Sequence, residues 1–87
     1  MKDKRYLHAA RNDDPELLSE LEDFDPNHSD GLGNNALHYA AQNGSTRVIP
    51  EILEMEIDVD FQNRLKGDTP LHVAVSYDED EDVRNWI

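Results

Sequence analysis

The 87-residue sequence contains no cysteine, and no apolar run in it is long enough to cross a bilayer. A chain without cysteine can form no disulfide bond, so it suits a reducing compartment. The charged residues that open the sequence are followed by no apolar stretch of the kind found in secretory signals. We therefore expect a soluble domain of the cytoplasm, the nucleus or both, with no membrane partner.

Basic residues are scarce, because 8 Lys and Arg face 20 Asp and Glu and leave a formal net charge of -12. Nucleic-acid binding is dominated by contacts of Lys and Arg with phosphates, so we expect no nucleic-acid partner. The same charge would attract a basic protein, whereas solubility alone would also explain an acidic surface. Both interpretations stay open.

The sequence also lacks the residue sets of a catalytic site. There is no cysteine nucleophile, and no serine has a histidine and an acid at a recognisable spacing. Gly31 and Gly33 are neither preceded by a strand nor followed by the Lys-Ser or Lys-Thr pair of a phosphate loop. We expect no enzymatic activity, no cofactor and no small-molecule substrate.

A leucine-histidine motif recurs three times. The segments are Leu-His-Ala-Ala at 7–10, Leu-His-Tyr-Ala-Ala at 37–41 and Leu-His-Val-Ala-Val at 71–75, so that the leucines are 30 and then 34 residues apart. Each segment is followed by apolar residues at helical i, i+3 and i+4 offsets. The spacing predicts repeated units of two short helices each.

Capping residues mark the ends of these helices. Thr69, followed by Pro70, and Asn35 are suited to cap the first helices of two units, and Asp14 precedes a proline at the start of a second helix. Gly44 is expected to end its helix in a left-handed conformation. Turn-rich or alternating stretches at 25–27 and 58–63 predict hairpin-like loops between units.

One proline interrupts the helical pattern. Pro50 falls inside the second helix of the middle unit, where it lacks the amide that an interior position needs. We expect a local distortion there, unless the helix begins late or bends.

The segment Gly-Asp-Thr-Pro-Leu-His at 67–72 resembles the ankyrin signature T-P-L-H-x-A, and residues 37–44 resemble the same motif and its continuation. The string as a whole is similar to small fungal ankyrin-repeat proteins. This resemblance implies an all-α ankyrin-repeat solenoid of helix-turn-helix units with hairpin-like loops, forming a single domain over 1–87. Its units would be repeat 1 at about 3–31, repeat 2 at about 32–65 and a truncated repeat 3 at about 66–87.

The histidines and acidic loops could suggest metal sites. His8, His38 and His72 would lie about 8 to 10 Å apart in stacked units, whereas zinc lies about 2 Å from each ligand nitrogen. The ankyrin resemblance implies instead that they hydrogen-bond neighbouring turns. The loop that begins at Asp23 resembles a calcium loop but has His28 and Asn34 at the positions that require Gly and Glu. We expect no metal site.

The resemblance implies a non-enzymatic adaptor or scaffold that binds another protein on the concave face formed by loop tips and first helices. The positions that would contact the partner are Arg11, Asn12, Leu32, Asn34, Gln42, Asn43, Arg64, Leu65, Lys66, Asp68, Ser76 and Tyr77. Arg64 and Tyr77 head this set, because Arg and Tyr often anchor interfaces.

Two alternatives remain open. An acidic chaperone or inhibitor could mask a basic client, since many acidic residues fall on the second helices or their ends. These acidic residues are Glu16, Glu20, Glu22, Asp23, Glu51, Glu54 and Glu56. A cation-responsive module could use the acidic loops, including residues 78–82, although runs of like charge are usually solvated.

Overall fold

The computed structural model describes residues 2–55, 57–64 and 66–76, and within these ranges the chain forms helices and no strand. The helices are α1 (Lys2–Arg11), α2 (Pro15–Glu20), α3 (Ala36–Asn43), α4 (Ile49–Leu53) and α5 (Pro70–Ser76). α3 packs between α1 and α5, while α2 packs against α1 and α4 against α3. The described residues therefore contain two helix pairs and the first helix of a third unit.

The ends of α3 follow local capping chemistry. The side chain of Asn35 accepts a hydrogen bond from the amide of His38 at 3.0 Å, and the amide of Asn35 donates to His38 Nδ1 at 3.1 Å. This reciprocal pair is a capping box. Gly44 ends the helix with φ 65° and ψ 37°, in the left-handed region. Both predicted ends of α3 are confirmed.

The other two predicted caps are also present. Asp14 Oδ1 accepts a hydrogen bond from the amide of Leu17 at 3.0 Å, at the start of α2. Thr69 Oγ1 accepts one from the amide of His72 at 3.3 Å, at the start of α5. A cap of this kind contributes about 1 kcal/mol.

Pro50 is accommodated by a late helix start. α4 begins at Ile49, so Pro50 lies in the first turn, where backbone amides have no acceptor within the helix. Helical hydrogen bonds flank the proline, from Ile49 to the carbonyl of Ser45 at 3.3 Å and from Ile52 to that of Val48 at 2.9 Å. The consequence is a second helix of only five residues.

The loops between units form two stacked turns. The turns at 30–34 and 63–68 are each closed by the amide of the first residue, which donates to the carbonyl of the last at 3.0 and 2.8 Å. The amide of Arg64 in the second turn donates to the carbonyl of Leu32 in the first at 3.1 Å. The loops are hairpin-like, as predicted, but each closed turn lies a few residues further along the chain than the predicted stretches at 25–27 and 58–63. A backbone hydrogen bond fixes one turn against the other.

Small residues line the seam between the first helices. Ala9, Ala40 and Ala74 are fully buried, which lets α1, α3 and α5 approach closely. Larger apolar side chains fill the space between first and second helices: Leu18, Leu37, Val48, Ile49 and Ile52. Burying one such side chain contributes about 1.5 to 3 kcal/mol. Among the described helices, none has the length and apolar character of a membrane span.

The first unit matches the second at an offset of 31 residues, one more than the leucine motif predicts. Asp13 lies two residues after α1 with φ 53°, and Gly44 directly follows α3 with φ 65°, both in the left-handed region. The next amide in each unit bonds back to an equivalent alanine, at 3.0 Å to Ala9 and at 2.9 Å to Ala40. Ala9 thus corresponds to Ala40, and the predicted equivalence of Leu7 with Leu37 is wrong.

Tyr6 explains the shift. It is fully buried in the place that Leu37 takes in α3, its hydroxyl donates to the carbonyl of Pro26 at 3.1 Å, and its ring lies 4.5 Å from that of Phe24. One residue turns a helix by about 100°, so Leu7 takes the place of His38. The third unit keeps its predicted register, because the bonded pairs of cap and histidine in α3 and α5 both match the leucine-histidine motif.

Candidate protein-interaction grooves

Two adjoining grooves lie on the face formed by the first helices and the stacked turns. The amino-terminal groove has a volume of about 550 Å³, and the central groove has a volume of about 270 Å³. The amino-terminal groove is lined by Lys4, Arg5, Leu7, His8, Arg11, Asp30 and Tyr39. The central groove is lined by Arg11, Leu32, Asn34, Tyr39, Gln42, Asn63, Lys66, Asp68 and Val73. Arg11 and Tyr39 belong to both.

Arg11 and Tyr39 form the boundary between the grooves. The guanidinium carbon of Arg11 lies 4.6 Å from the centroid of the Tyr39 ring, a cation-π geometry. The Tyr39 hydroxyl donates to Asp30 Oδ2. This chain of contacts joins α1, α3 and the first turn, so it fixes the shape of the grooves where they meet.

Asp30 organises the first turn through both carboxylate oxygens. Its Oδ1 accepts hydrogen bonds from the amides of Leu32 and Asn34, each at 3.0 Å, while Oδ2 accepts from Tyr39. Burial acts to raise the pKa of Asp30, but these hydrogen bonds outweigh it, so the pKa lies below its ordinary value. Burial, followed by Asp30, raises the pKa of Tyr39, which therefore remains a neutral donor at pH 7.

The structure brings six of the twelve predicted contact residues together in the central groove. They are Arg11, Leu32, Asn34, Gln42, Lys66 and Asp68. All six lie in α1, α3 or one of the two turns as exposed or half-buried side chains, and Leu32 is the most apolar of them, with 49% of its surface exposed. Their contact with a partner stays a prediction.

Three other predicted residues lie outside the groove linings. Asn12 Nδ2 is 2.9 Å from His8 Nε2, and Asn43 Nδ2 donates to the carbonyl of Tyr39 at 2.9 Å, so both amides bond within their own helical segments. Arg64 is exposed on the second turn. Leu65, Tyr77 and the side chain of Ser76 lie outside the described residues.

Sequence reasoning missed the amino-terminal groove and its basic lining. The wrong register placed His8 against a neighbouring turn, whereas Lys4, His8 and Arg11 share one side of α1 at i, i+4 and i+7. That spacing of basic residues was the one sequence pattern that could have predicted this groove. Tyr39 was missed because its contacts with Arg11 and Asp30 come from other parts of the chain.

His38 joins two units beneath the central groove. Its ring is buried, Nδ1 accepts from the amide of Asn35, and Nε2 donates to the carbonyl of Asp68 at 2.7 Å. Burial lowers the pKa of His38, which matches a neutral ring with its proton on Nε2. The predicted bond to a neighbouring turn is confirmed for this histidine.

The other two histidines of the motif differ from His38. His8 is exposed beside Asn12, so its predicted bond to a turn is wrong because α1 is rotated. His72 lies 2.8 Å from Thr69 Oγ1 in the cap of its own helix. Among the residues described, no cluster of three or more His, Cys, Asp or Glu could hold a metal ion.

Several known proteins are similar to this chain, and each of them is longer than it. An ankyrin repeat-containing protein of Saccharomyces cerevisiae, YGL242C, is 43% identical over 74 residues, covering 80% of this chain and 38% of the relative. Palmitoyltransferase ZDHHC17 of Danio rerio is 51% identical over 41 residues, 47% of this chain and 6% of the relative. The human SMC5-SMC6 complex localization factor protein 1 is 40% identical over 60 residues, 69% and 6% of the two chains. The chain thus spans well under half the length of these relatives.

A family model of ankyrin repeats in three copies matches residues 7–85. The helix pairs and stacked turns agree with it, so the predicted all-α ankyrin-repeat solenoid is confirmed. Repeats of this kind generally mediate protein-protein interaction and are typically non-enzymatic. The chain belongs to the ankyrin-repeat family.

Proposed function

We propose that this chain is a non-catalytic adaptor or scaffold that holds a segment of a partner protein in the two grooves. The observation that supports this most directly is the central groove, which six of the predicted contact residues line together. Its walls come from α1, α3, α5 and both turns, so they form only when the units stack.

The turns beneath the grooves are fixed before any partner binds. Arg64 donates its amide to Leu32, and Asn63 Nδ2 donates to Asn34 Oδ1 at 3.2 Å. A surface that is already ordered loses little conformational entropy on binding. The exposed side chain of Leu32 can then add apolar contact to polar groups around it.

We place this function in the cytoplasm or the nucleus, with no membrane, nucleic-acid or small-molecule partner. The absence of cysteine favours a reducing compartment, and the net charge of -12 opposes binding to long polyanions. No cofactor is part of the proposal.

The test begins with a partner purified on the full chain from extract of the source cells. Its affinity would then be measured by calorimetry for the wild type and for Leu32→Ser, Gln42→Ala and Lys66→Ala, three residues that line the central groove. We expect each variant to bind at least about fivefold more weakly, with unchanged helicity by circular dichroism. Arg47→Ala is the matched control, since Arg47 is exposed and pairs with Glu16 at 3.2 Å, away from the grooves. Full affinity in all three groove variants would reject the proposal.

A second candidate is an acidic chaperone or inhibitor for a basic client. It is favoured by a group of exposed acidic residues on or beside the second helices: Glu16, Glu20, Glu22, Glu51 and Glu54. This function predicts affinity that falls steeply with salt and that decreases in Glu51→Gln and Glu54→Gln, but not in Gln42→Ala. The cation-responsive alternative depends in part on residues 78–82, which lie outside the described residues.

A further inference from the structure

Basic side chains are concentrated in the grooves of this acidic protein. The chain has only 8 Lys and Arg against 20 Asp and Glu. Lys4, Arg5 and Arg11 line the amino-terminal groove together with His8, and Lys66 lines the central groove. Half of all the Lys and Arg residues therefore border a surface formed by a small part of the molecule.

The acidic groups near these cations offset only part of their charge. Among the residues that the structure describes, Asp30 is the one acid in the lining of the amino-terminal groove, and its two oxygens already accept hydrogen bonds from the turn and from Tyr39. Arg5 pairs loosely with Glu20 at 3.9 Å, and both side chains are more than half exposed. Asp68 balances Lys66 in the central groove. The described lining of the amino-terminal groove thus keeps an excess of positive charge.

The lining of this groove can also take an apolar group. Leu7 and the ring of Tyr39 lie between the cations, and both are largely buried, so they form its floor. A volume of about 550 Å³ is within the usual size of pockets that hold a small ligand or a few side chains. Apolar contact below and charged groups at the rim are typical of a specific interface.

A short acidic segment fits this arrangement better than nucleic acid does. Charges separated by more than about 8 Å are largely screened at physiological salt, so a peptide in the groove would interact mainly with the groove's own cations. A longer polyanion would also meet the exposed carboxylates on the second helices. Arg side chains can bind carboxylates through two parallel hydrogen bonds, which adds geometric selectivity.

We propose that the amino-terminal groove, continued across Arg11 and Tyr39 into the central groove, binds a partner through an acidic peptide segment that carries an apolar residue for the floor at Leu7. This inference rests on the proposed function, since it names the chemistry of the segment that the grooves hold. The proposal gives the two surfaces different roles. The grooves bind anionic segments, and the acidic side chains of the second helices stay in solvent.

The test selects decapeptides from a random displayed library on the immobilised full chain. The selected peptides are then synthesised with a fluorescein label, and their affinities are measured by anisotropy at 150 mM salt. We expect an excess of Asp and Glu, with apolar residues between them. Lys4→Glu and Arg11→Glu should each weaken binding at least tenfold, while Arg47→Glu, at an exposed residue outside both groove linings, should leave it within about twofold. Circular dichroism verifies that each variant is folded.

Other outcomes separate the charge claim from the proposed function. The selected peptides could be neutral, and could bind Lys4→Glu normally but Leu32→Ser weakly. This result would reject the claim that the segment is acidic, but it would still support binding in the grooves. Selection of basic peptides that bind Glu51→Gln more weakly would also reject the claim that the segment is acidic, and would favour binding to the acidic residues of the second helices. A labelled ten-nucleotide single-stranded DNA that binds more tightly than the peptides would also overturn the proposal. Failure to select any peptide would count against both claims.

Discussion

At the scale of single residues, the hydrogen bonds of the Asp13 side chain compensate for its unfavourable backbone conformation. Asp13 lies in the turn after α1 with φ 53°, a conformation that costs a non-glycine residue about 1 kcal/mol. The equivalent position in the next unit is Gly44. Asp13 Oδ1 accepts hydrogen bonds from the amides of Arg47 at 2.9 Å and Val48 at 3.0 Å, where α4 begins. The carboxylate therefore joins the two units.

We expect Asp13→Ala to lower the free energy of unfolding by about 2 kcal/mol, because it removes two bonds to a charged acceptor and keeps the backbone strain. Asp13→Gly should lose about 1 kcal/mol less, because glycine tolerates this conformation. Urea unfolding followed by circular dichroism would measure both. Equal stability of Asp13→Ala and the wild type would show that the bonds to Arg47 and Val48 contribute nothing.

His38 predicts a pH dependence of stability. Burial lowers its pKa in the folded protein below the ordinary value of about 6.5. Between these two values the unfolded chain binds more protons, so the free energy of unfolding falls as pH decreases below about 6.5. His38→Gln should show a smaller decrease than the wild type between pH 7.5 and pH 5. Identical decreases in the two proteins would contradict this assignment.

The sequence predicted the caps because their chemistry is local. Asn35, Thr69 and Asp14 each bond an amide three residues away, and no tertiary contact is needed to place them. The register of α1 failed for the opposite reason. Leu7 looked equivalent to Leu37 by motif, but the burial of Tyr6 against Phe24 decides which side of the helix faces inward.

At the scale of structural elements, the stacked turns and the first helices create the site. Resemblance to the ankyrin family predicted which helix and turn positions would face a partner, and six of these twelve positions line the central groove. It did not predict Tyr39, because Arg11 and Asp30 reach that ring from another helix and from a distant turn. Contacts of this kind depend on how units stack and leave no periodic signal in the sequence.

Three glycines provide a direct test of turn stacking. Gly33 and Gly67 both have positive φ, but only at Gly33 would an added Cβ meet a neighbour, with Arg64 Cγ and the Arg64 amide nitrogen at 2.7 Å. Gly67→Ala should cost about 1 kcal/mol from backbone strain alone. Gly33→Ala should cost about 2 to 4 kcal/mol, since the clash displaces one turn from the other.

Gly31→Ala is the matched control in the same turn. An added Cβ there has nothing within 4 Å, and the backbone is not in the left-handed region. We expect its stability to stay within about 0.5 kcal/mol of the wild type in urea unfolding. A cost for Gly33→Ala no larger than that for Gly67→Ala would mean that the turns do not need their close contact.

At the scale of the whole molecule, the fold separates two surfaces of opposite charge. The grooves contain Lys4, Arg5, Arg11 and Lys66, while exposed glutamates occupy the second helices. The bulk charge of -12 hides this separation, because it averages over the chain. Composition therefore left a basic partner and simple solubility both open, whereas we infer an acidic partner segment from the residues that line the grooves. Helix register and the stacking of the units decide which charged residues line the grooves, and composition carries no information on either.

The measurement that tests the central claim most directly is a nuclear magnetic resonance titration of the ¹⁵N-labelled full chain with its purified partner or with the tightest selected peptide. We predict that the largest amide shifts occur in α1, α3 and the turns at 30–34 and 63–68, and that α2 and α4 change little. Largest shifts in α2 and α4, with the turns unaffected, would contradict the assignment of the grooves as the binding surface.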